Sequence, residues 1–291
     1  MLALRHLRYF VAISEEISFV AAAKKLNTVQ SSLSQQMKDL EDYIGVDLFE
    51  RGSRVIALTK TGEVFLQEAK KALIEAEKTQ NFAMKLKGRA KDLKIGMMIG
   101  VEVKIPKYFI ETIKQNSATM QVEIISAMSL PLIQMLEKGE IDIAFSRSNI
   151  NNQDISSHEF LVEDLLIILP KDHPLNKYSH IPVKELNGIN LVIPALEHAP
   201  ELYNKILKIF TDHHIEPNIV AETENPFVTM SYVNMGMGIT ILPDNIRTIA
   251  TNDVTIKKFL RIQPKISLFM NYRNSEKPSL EHLLHKIIRS A

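Results

Sequence analysis

The chain contains no cysteine. That excludes disulfides, thiolate metal sites and any redox sensor built on a thiol. An excess of one charge is missing too: 35 Lys and Arg face 34 Asp and Glu, a formal net charge of +1. What imbalance there is lies at the front, where residues 1–90 hold 14 basic against 11 acidic residues, and the remainder 21 against 23. This gradient permits a nucleic-acid-binding head without demonstrating one. No apolar run is long enough to span a bilayer, and the opening MLALRHLRYF has arginines where a secretion signal needs an apolar stretch. A cytoplasmic protein without membrane association is expected. Catalytic signatures are absent as well. There is no Gly-x-Ser-x-Gly elbow and no Walker loop, and Gly236-Met237-Gly238 lacks the third glycine of a dinucleotide loop and precedes a strand. His282 and His285 lie three apart on a predicted helix without the glutamate and third ligand of a zinc site, and His213-His214 reads as a helix end. No catalytic residue, metal or cofactor is expected, and an enzyme is not.

What is present is a soluble composition, 45% hydrophobic and 24% charged over 291 residues, enough for two or three domains. Residues 19–44 organise the rest. They read as two helices joined by a tight turn over Lys24, Lys25, Leu26, Asn27 and Thr28, with Thr28 placed to cap the second helix. Leu33, Met37, Leu40 and Ile44 form one face of that helix, and Ala21, Ala22 and Ala23 allow the pair to cross closely. The opposite face offers Gln30, Ser31, Ser34, Gln35 and Lys38, side chains that reach base edges and phosphates from a major groove. A preceding helix, residues 4–16, carries Leu7, Phe10, Val11, Ser14 and Ile17 on one side, with Phe10 and Val11 behind the pair. After Gly45, the run VDLFERGSRVIALTKTG reads as a hairpin with Arg51 and Arg54 at its tip, a wing suited to phosphate or minor-groove contact.

From residue 61 to about 87, Phe65, Ala69, Ala72, Ala76, Thr79, Ala83 and Leu86 step by four and three, a heptad seam on one long helix. No core of its own is foreseen for that seam, so a second subunit is expected, its two-fold pair of wings matching a palindromic DNA site. Beyond residues 88–92 the pattern alternates. Strands are expected at LKIGMMIG, QVEIISA, IDIAFSR, DLLIILP, GINLVIPAL, NIVAETE, ITILP and ISLFMNYR. Helices are expected at IPKYFIETIKQN, PLIQMLEKGE, ELYNKILKIF, FVTMSYVNMG and LEHLLHKIIRS. Repeated βαβ units imply mainly parallel sheets with helices on both faces and a ligand at the carboxyl ends of the strands. Several segments fall there: residues 99–102, 126–129, Ser146-Arg147, 194–198 and 224–227. Arg147 at such an end is either a salt-bridge partner or an anion clamp. Met97, Met98 and Met128 nearby are core, or the lining of an adaptable pocket.

In this order the pieces resemble the LysR-type transcriptional regulators along the whole chain. The resemblance is carried by LRHLRYFVAI, AAAKKLN, QSSLSQQMKDLE, GVDLFER and LTKTGEVFL, with Ala22, Leu26, Gln30, Leu33, Ser34, Leu40, Glu41, Gly45, Leu48, Phe49, Arg51, Thr59 and Gly62 at the family's spacing. It implies an N-terminal winged helix-turn-helix (residues 1–60), a long linker and dimerisation helix (61–90) and a C-terminal α/β effector domain (91–291). That last domain would have two subdomains like a periplasmic binding protein, one of about 91–161 plus 266–291, the other about 162–265. The partners implied are double-stranded promoter DNA, a small effector, a homodimer assembling to a homotetramer, and RNA polymerase. Thr28, Gln30, Ser34 and Lys38 match DNA-facing positions, and Arg51 and Arg54 the wing. Ser31 stands where the family often has proline, and Gln35 where it has an arginine, so the arginine's phosphate or guanine contact is lost.

The effector domain looks most like the subgroup that regulates aromatic-acid (phenylpropionate) catabolism, through GVEV, LEKGEIDIAFSR, LIILPKDHPL, LNGINLVIP and VTMSYVNMGMGITILP. The resemblance implies an aromatic carboxylate between the subdomains, at Gly100, Val101, Ser129, Arg147, Pro194 and Phe227. Arg147 would balance the carboxylate, and Phe227 and Met128 would meet the ring. Gly100 replaces a hydroxyl found in some relatives, and Glu102 adds a negative charge that would suit a cationic ligand such as a diamine. Two further readings stand beside these: an oxidant sensor acting through Met97, Met98, Met128 and Met237, and a cytoplasmic small-molecule binding protein that does not bind DNA.

Overall fold

The computed structural model describes residues 2–50, 56–87, 93–105, 109, 111, 121–150 and 152–274. The chain divides into two compact units, Met1–Met84 and Lys85–Ala291.

In the first unit, α1 (Leu4–Glu16), α2 (Phe19–Lys25) and α3 (Gln30–Ile44) fold around one core. Ser18 caps α2, its hydroxyl accepting from the Ala21 amide at 3.2 Å. Asn27 takes a left-handed turn at φ 51°, and α3 follows at once. Ala22, Leu33, Met37 and Leu40 are buried at the crossing of α2 and α3. Two expectations need correction. The N-cap of α3 is Val29, not Thr28, and no side chain caps it. The inner face of α1 is Leu7, Phe10, Ala12 and Ile13, with Val11 half-buried against the same core, whereas Ile17 is not part of that face. The cause is length: α1 ends at Glu16, so Ile17 leaves helical phase at φ 48° and is 59% exposed.

Phe10 anchors this core, with ring centroids 5.4 Å from Phe49 and 5.3 Å from Phe65. Glu41 ties the chain after α3 back to the helix, one carboxylate oxygen accepting from the amides of Leu48 (2.7 Å) and Phe49 (3.1 Å). Phe49 then bridges antiparallel to Leu58, the base of the expected hairpin. Its tip, with Arg51 and Arg54, lies outside the described residues. The long helix α4 (Lys60–Lys87) opens by packing Phe65, Leu66, Ala69 and Leu73 on the core. Its seam therefore does have a core of its own at that end. Of the seam residues, Ala72, Thr79 and Ala83 are exposed.

The second unit contains β1 (Leu93–Met98), β2 (Val122–Ala127), β3 (Ile143–Ser146), β4 (Ile155–Pro170), β5 (His180–Ile181), β6 (Asn190–Pro194), β7 (Asn218–Thr223), β8 (Thr240–Pro243), β9 (Val254–Phe259) and β10 (Lys265–Arg273). Its helices are α5 (Ser129–Lys138), α6 (Pro200–Asp212) and α7 (Pro226–Asn234), with short 3-10 turns at Glu102–Lys104 and Asp244–Thr248 among others. The expected helices at residues 105–116 and 280–290, with His282 and His285, lie wholly or largely outside the described residues.

Mainly parallel sheets were expected, and the pairing overturns this. β1 runs parallel to β2 and β3, β6 to β7, and β5 to β9. β10, however, is antiparallel to β3 and β4, and β4 is antiparallel to β8 and β9. The sixteen-residue β4 is the reason. Its first half, with Ile155 and Phe160, belongs to a core built on β1, β3 and α5; its second half, Leu165 to Leu169, belongs to another built on β6, β8 and α6. β10 makes the same passage in reverse, from Ile266 in one core to Leu268 and Met270 in the other. Two adjacent strands thus join two separate cores. Among the described residues no helix is long and apolar enough to cross a membrane.

Candidate functional site

Two regions collect the residues singled out in the sequence. On α3, Gln30, Ser31, Ser34, Gln35 and Lys38 are all exposed on the face away from Leu33, Met37 and Leu40, and Thr28 is half-buried just before it. Gln35 donates to Asp39 at 2.8 Å, which holds its amide along the helix. The first turn of α3 has neither a capping side chain nor an acidic residue. Its leading amides and the positive end of its dipole are open to an anion.

The second region is a cleft where the two cores of the second unit meet. From one side it is lined by Met98, Ile99, Met128 and Arg147, and from the other by Pro194, Ala199, Glu201, Leu202, Leu242 and Ile246, with Pro226, Pro243 and Asn245 completing the wall. The space enclosed is about 40 Å³.

Arg147, just past β3, is buried and paired with Glu163 on β4; their side chains are 3% and 4% exposed. Burial pushes the guanidinium below its ordinary range, and Glu163, then Glu201, pull it back. Glu163 lies where β4 changes core, and its other oxygen accepts from the Asn245 amide at 3.1 Å. The Asn245 side chain in turn donates to the Gly100 carbonyl at 2.6 Å. Ser148 hydrogen-bonds Glu201 across the same junction, and Lys104 faces Asp244 at 3.5 Å. The floor of the cleft is therefore a buried ion pair, flanked by polar contacts linking one half to the other.

Of the effector residues named from the sequence, Met128, Arg147 and Pro194 line this cleft, and Gly100 borders the wall through Asn245. The other four do not. Val101 is fully buried in the β1 core. Glu102 turns back on its own loop, accepting from the Gly100 amide at 2.7 Å and the Ser126 hydroxyl at 3.2 Å. Ser129 is buried behind Met98, donating to its sulfur at 3.0 Å and accepting from the Arg147 amide at 3.2 Å. Phe227, in the first turn of α7 capped by Asn225, is 51% exposed and is not among the lining residues. Sequence reasoning missed Glu201, Leu202 and Asn245. Only Pro200, a helix-start signal, marks that neighbourhood.

Comparison with known proteins matches residues 4–63 to the bacterial regulatory helix-turn-helix of the lysR family and residues 87–289 to the LysR substrate binding domain. The Hca operon transcriptional activator HcaR of Escherichia coli (strain K12) is 33% identical over 282 residues, 97% of this chain and 95% of that protein. Full-length BenM, named as an HTH-type transcriptional regulator of Acinetobacter baylyi, superposes with a TM-score of 0.60 at 27% identity, covering 99% of this chain and 96% of that one. CbnR in complex with its target DNA shares the fold, with a TM-score of 0.58 at 22% identity over 99% of both chains. This chain belongs to the LysR family of DNA-binding transcriptional regulators.

Proposed function

We propose that this regulator reads promoter DNA through α3 and responds to a small, largely apolar molecule held in the cleft of its second unit. The observation that carries the second half is the cleft itself: two separate cores, joined by β4 and β10, with apolar side chains facing each other between them. An aromatic body suits that lining. The carboxylate expected from the sequence suits it less, since Arg147 already balances Glu163. Gln30, Ser31, Ser34, Gln35 and Lys38 supply the DNA-facing side of α3, with Thr28 at its edge and Arg51 and Arg54 as the wing contacts. The exposed stretch of α4 around Ala72, Thr79 and Ala83 suits a homodimer, and pairs of dimers a homotetramer acting in the cytoplasm.

Footprinting with a salt series tests the DNA half. Ser34→Ala should weaken specific binding by roughly ten-fold, and Lys38→Ala should reduce the slope of log K against log salt by about 0.9. A protein that leaves no footprint would count against the DNA half, and a slope indifferent to Lys38 would remove Lys38 from the phosphate contacts.

A further inference from the structure

The apolar cleft contains two polar atoms without partners. Nε of Arg147 and Oε2 of Glu201 are closed off from solvent, and neither makes a hydrogen bond among the described residues. Both side chains line the cleft. The remaining polar atoms of each are engaged: Arg147 meets Glu163 and the Ile266 carbonyl, and Glu201 accepts from Ser148. One unmatched atom is a donor and the other an acceptor. Polar atoms closed off in this way are unfavourable unless something completes them.

Charge decides what can. Arg147 and Glu201 are the charged side chains of the lining, and Glu163 stands behind Arg147. Arg147 cancels one carboxylate and leaves the other, a net charge of −1. A carboxylate ligand would add a second uncompensated negative charge in a poorly solvated space and offer Glu201 no proton. An N–H donor does the opposite. A protonated amine cancels the charge, while a carboxamide carries both a donor that suits Glu201 and an acceptor that suits Arg147 Nε.

We propose that the effector carries an N–H group, amine or carboxamide, on a small apolar body, and that Glu201 receives it; a free carboxylate is disfavoured. This rests on the cleft being the effector site. Four ligands of nearly equal size separate the possibilities: benzamide, benzylamine, methyl benzoate and benzoate, titrated into the full-length protein by calorimetry and thermal shift. The expected order in the wild type is benzamide and benzylamine tightest, then methyl benzoate, with benzoate weakest. Glu201→Gln should weaken benzylamine by about ten-fold or more and leave methyl benzoate within about two-fold. If that variant does not fold, the wild-type order still decides. Benzoate binding as tightly as benzamide, or benzylamine indifferent to Glu201→Gln, overturns the N–H assignment. In that case binding of methyl benzoate or benzoate keeps the cleft as the effector site. Silence from all four ligands overturns both.

Discussion

Arg147 and Glu163 illustrate what burial does to a single pair. Each is almost wholly removed from water, so each depends on the other for its charge. Their attraction need not stabilise the fold, because desolvating two ions opposes it. Removing one partner alone leaves a buried charge with no counterpart. Glu163→Ala or Arg147→Ala is therefore expected to lower stability by about 3–5 kcal/mol, whereas the double change Arg147→Met with Glu163→Leu should recover most of it. Denaturant midpoints for the three variants check this, and a double change as damaging as the sum of the singles would contradict it. His173 gives a second case. Burial lowers its pKa from an ordinary 6.5, and its Nδ1 accepts from the Leu175 amide at 3.2 Å. Below pH 6.5 the unfolded chain binds a proton that the folded one resists. Stability should therefore fall as pH drops from there toward the folded value, and level off beneath it. His173→Asn keeps an acceptor but does not titrate. Its thermal midpoint between pH 8 and pH 5 should show a smaller acid loss than the wild type.

Among the elements, α4 meets the hairpin base at one glycine. A Cβ on Gly62 would collide with the Leu48 carbonyl oxygen and press on the Leu58 side chain at 3.1 Å. The carbonyl oxygen is fixed by the hydrogen bond it accepts from the Thr59 amide at 2.9 Å, so it has little freedom to yield. Gly62→Ala should cost about 1–3 kcal/mol despite alanine's better helix propensity, seen as a lower unfolding midpoint for the N-terminal unit. A neutral or stabilising effect would mean that the hairpin base can shift. The helices α1, α3, α4 and α6 were legible because each shows one apolar face at helical spacing, a signal within a few turns of chain. β4 was only half legible. Leu165–Leu169 form a fully apolar run, but the preceding ISSHEFLVED serves a different core and a different partner strand, so it carries no single alternation. Nor does local pattern say whether two strands run parallel, which is why β10 returning antiparallel between β3 and β4 was missed. The site divides the same way. Arg147, Met128 and Pro194 follow or end strands, where the fold class puts ligands. Glu201 comes from the first turn of α6, which only tertiary folding carries to the cleft, whereas Asn245 follows β8 and lies at a strand end that was not singled out.

At the scale of the whole molecule, the question is whether cleft and DNA face act on one another. Any such influence must be a difference in free energy between states of the protein, and it must act in both directions. If a cleft ligand changes DNA affinity by some factor, bound DNA changes ligand affinity by the same factor. The cleft offers a physical source for that difference. The polar contacts Ser148–Glu201 and Asn245–Gly100 link its two walls, so a ligand seated between them can favour one arrangement of the walls over another. For a regulator with typical coupling of about 1–3 kcal/mol, ligand affinity should change between about 5-fold and 150-fold on adding a saturating specific DNA site. Titrating the same cleft ligand into free protein and into the protein–DNA complex measures it, and the footprint with and without ligand gives the reciprocal. Equal factors from the two experiments would establish coupling. Two factors of one, with ligand and DNA both bound, would mean that the two units work independently and that the cleft serves some purpose other than control of DNA binding affinity.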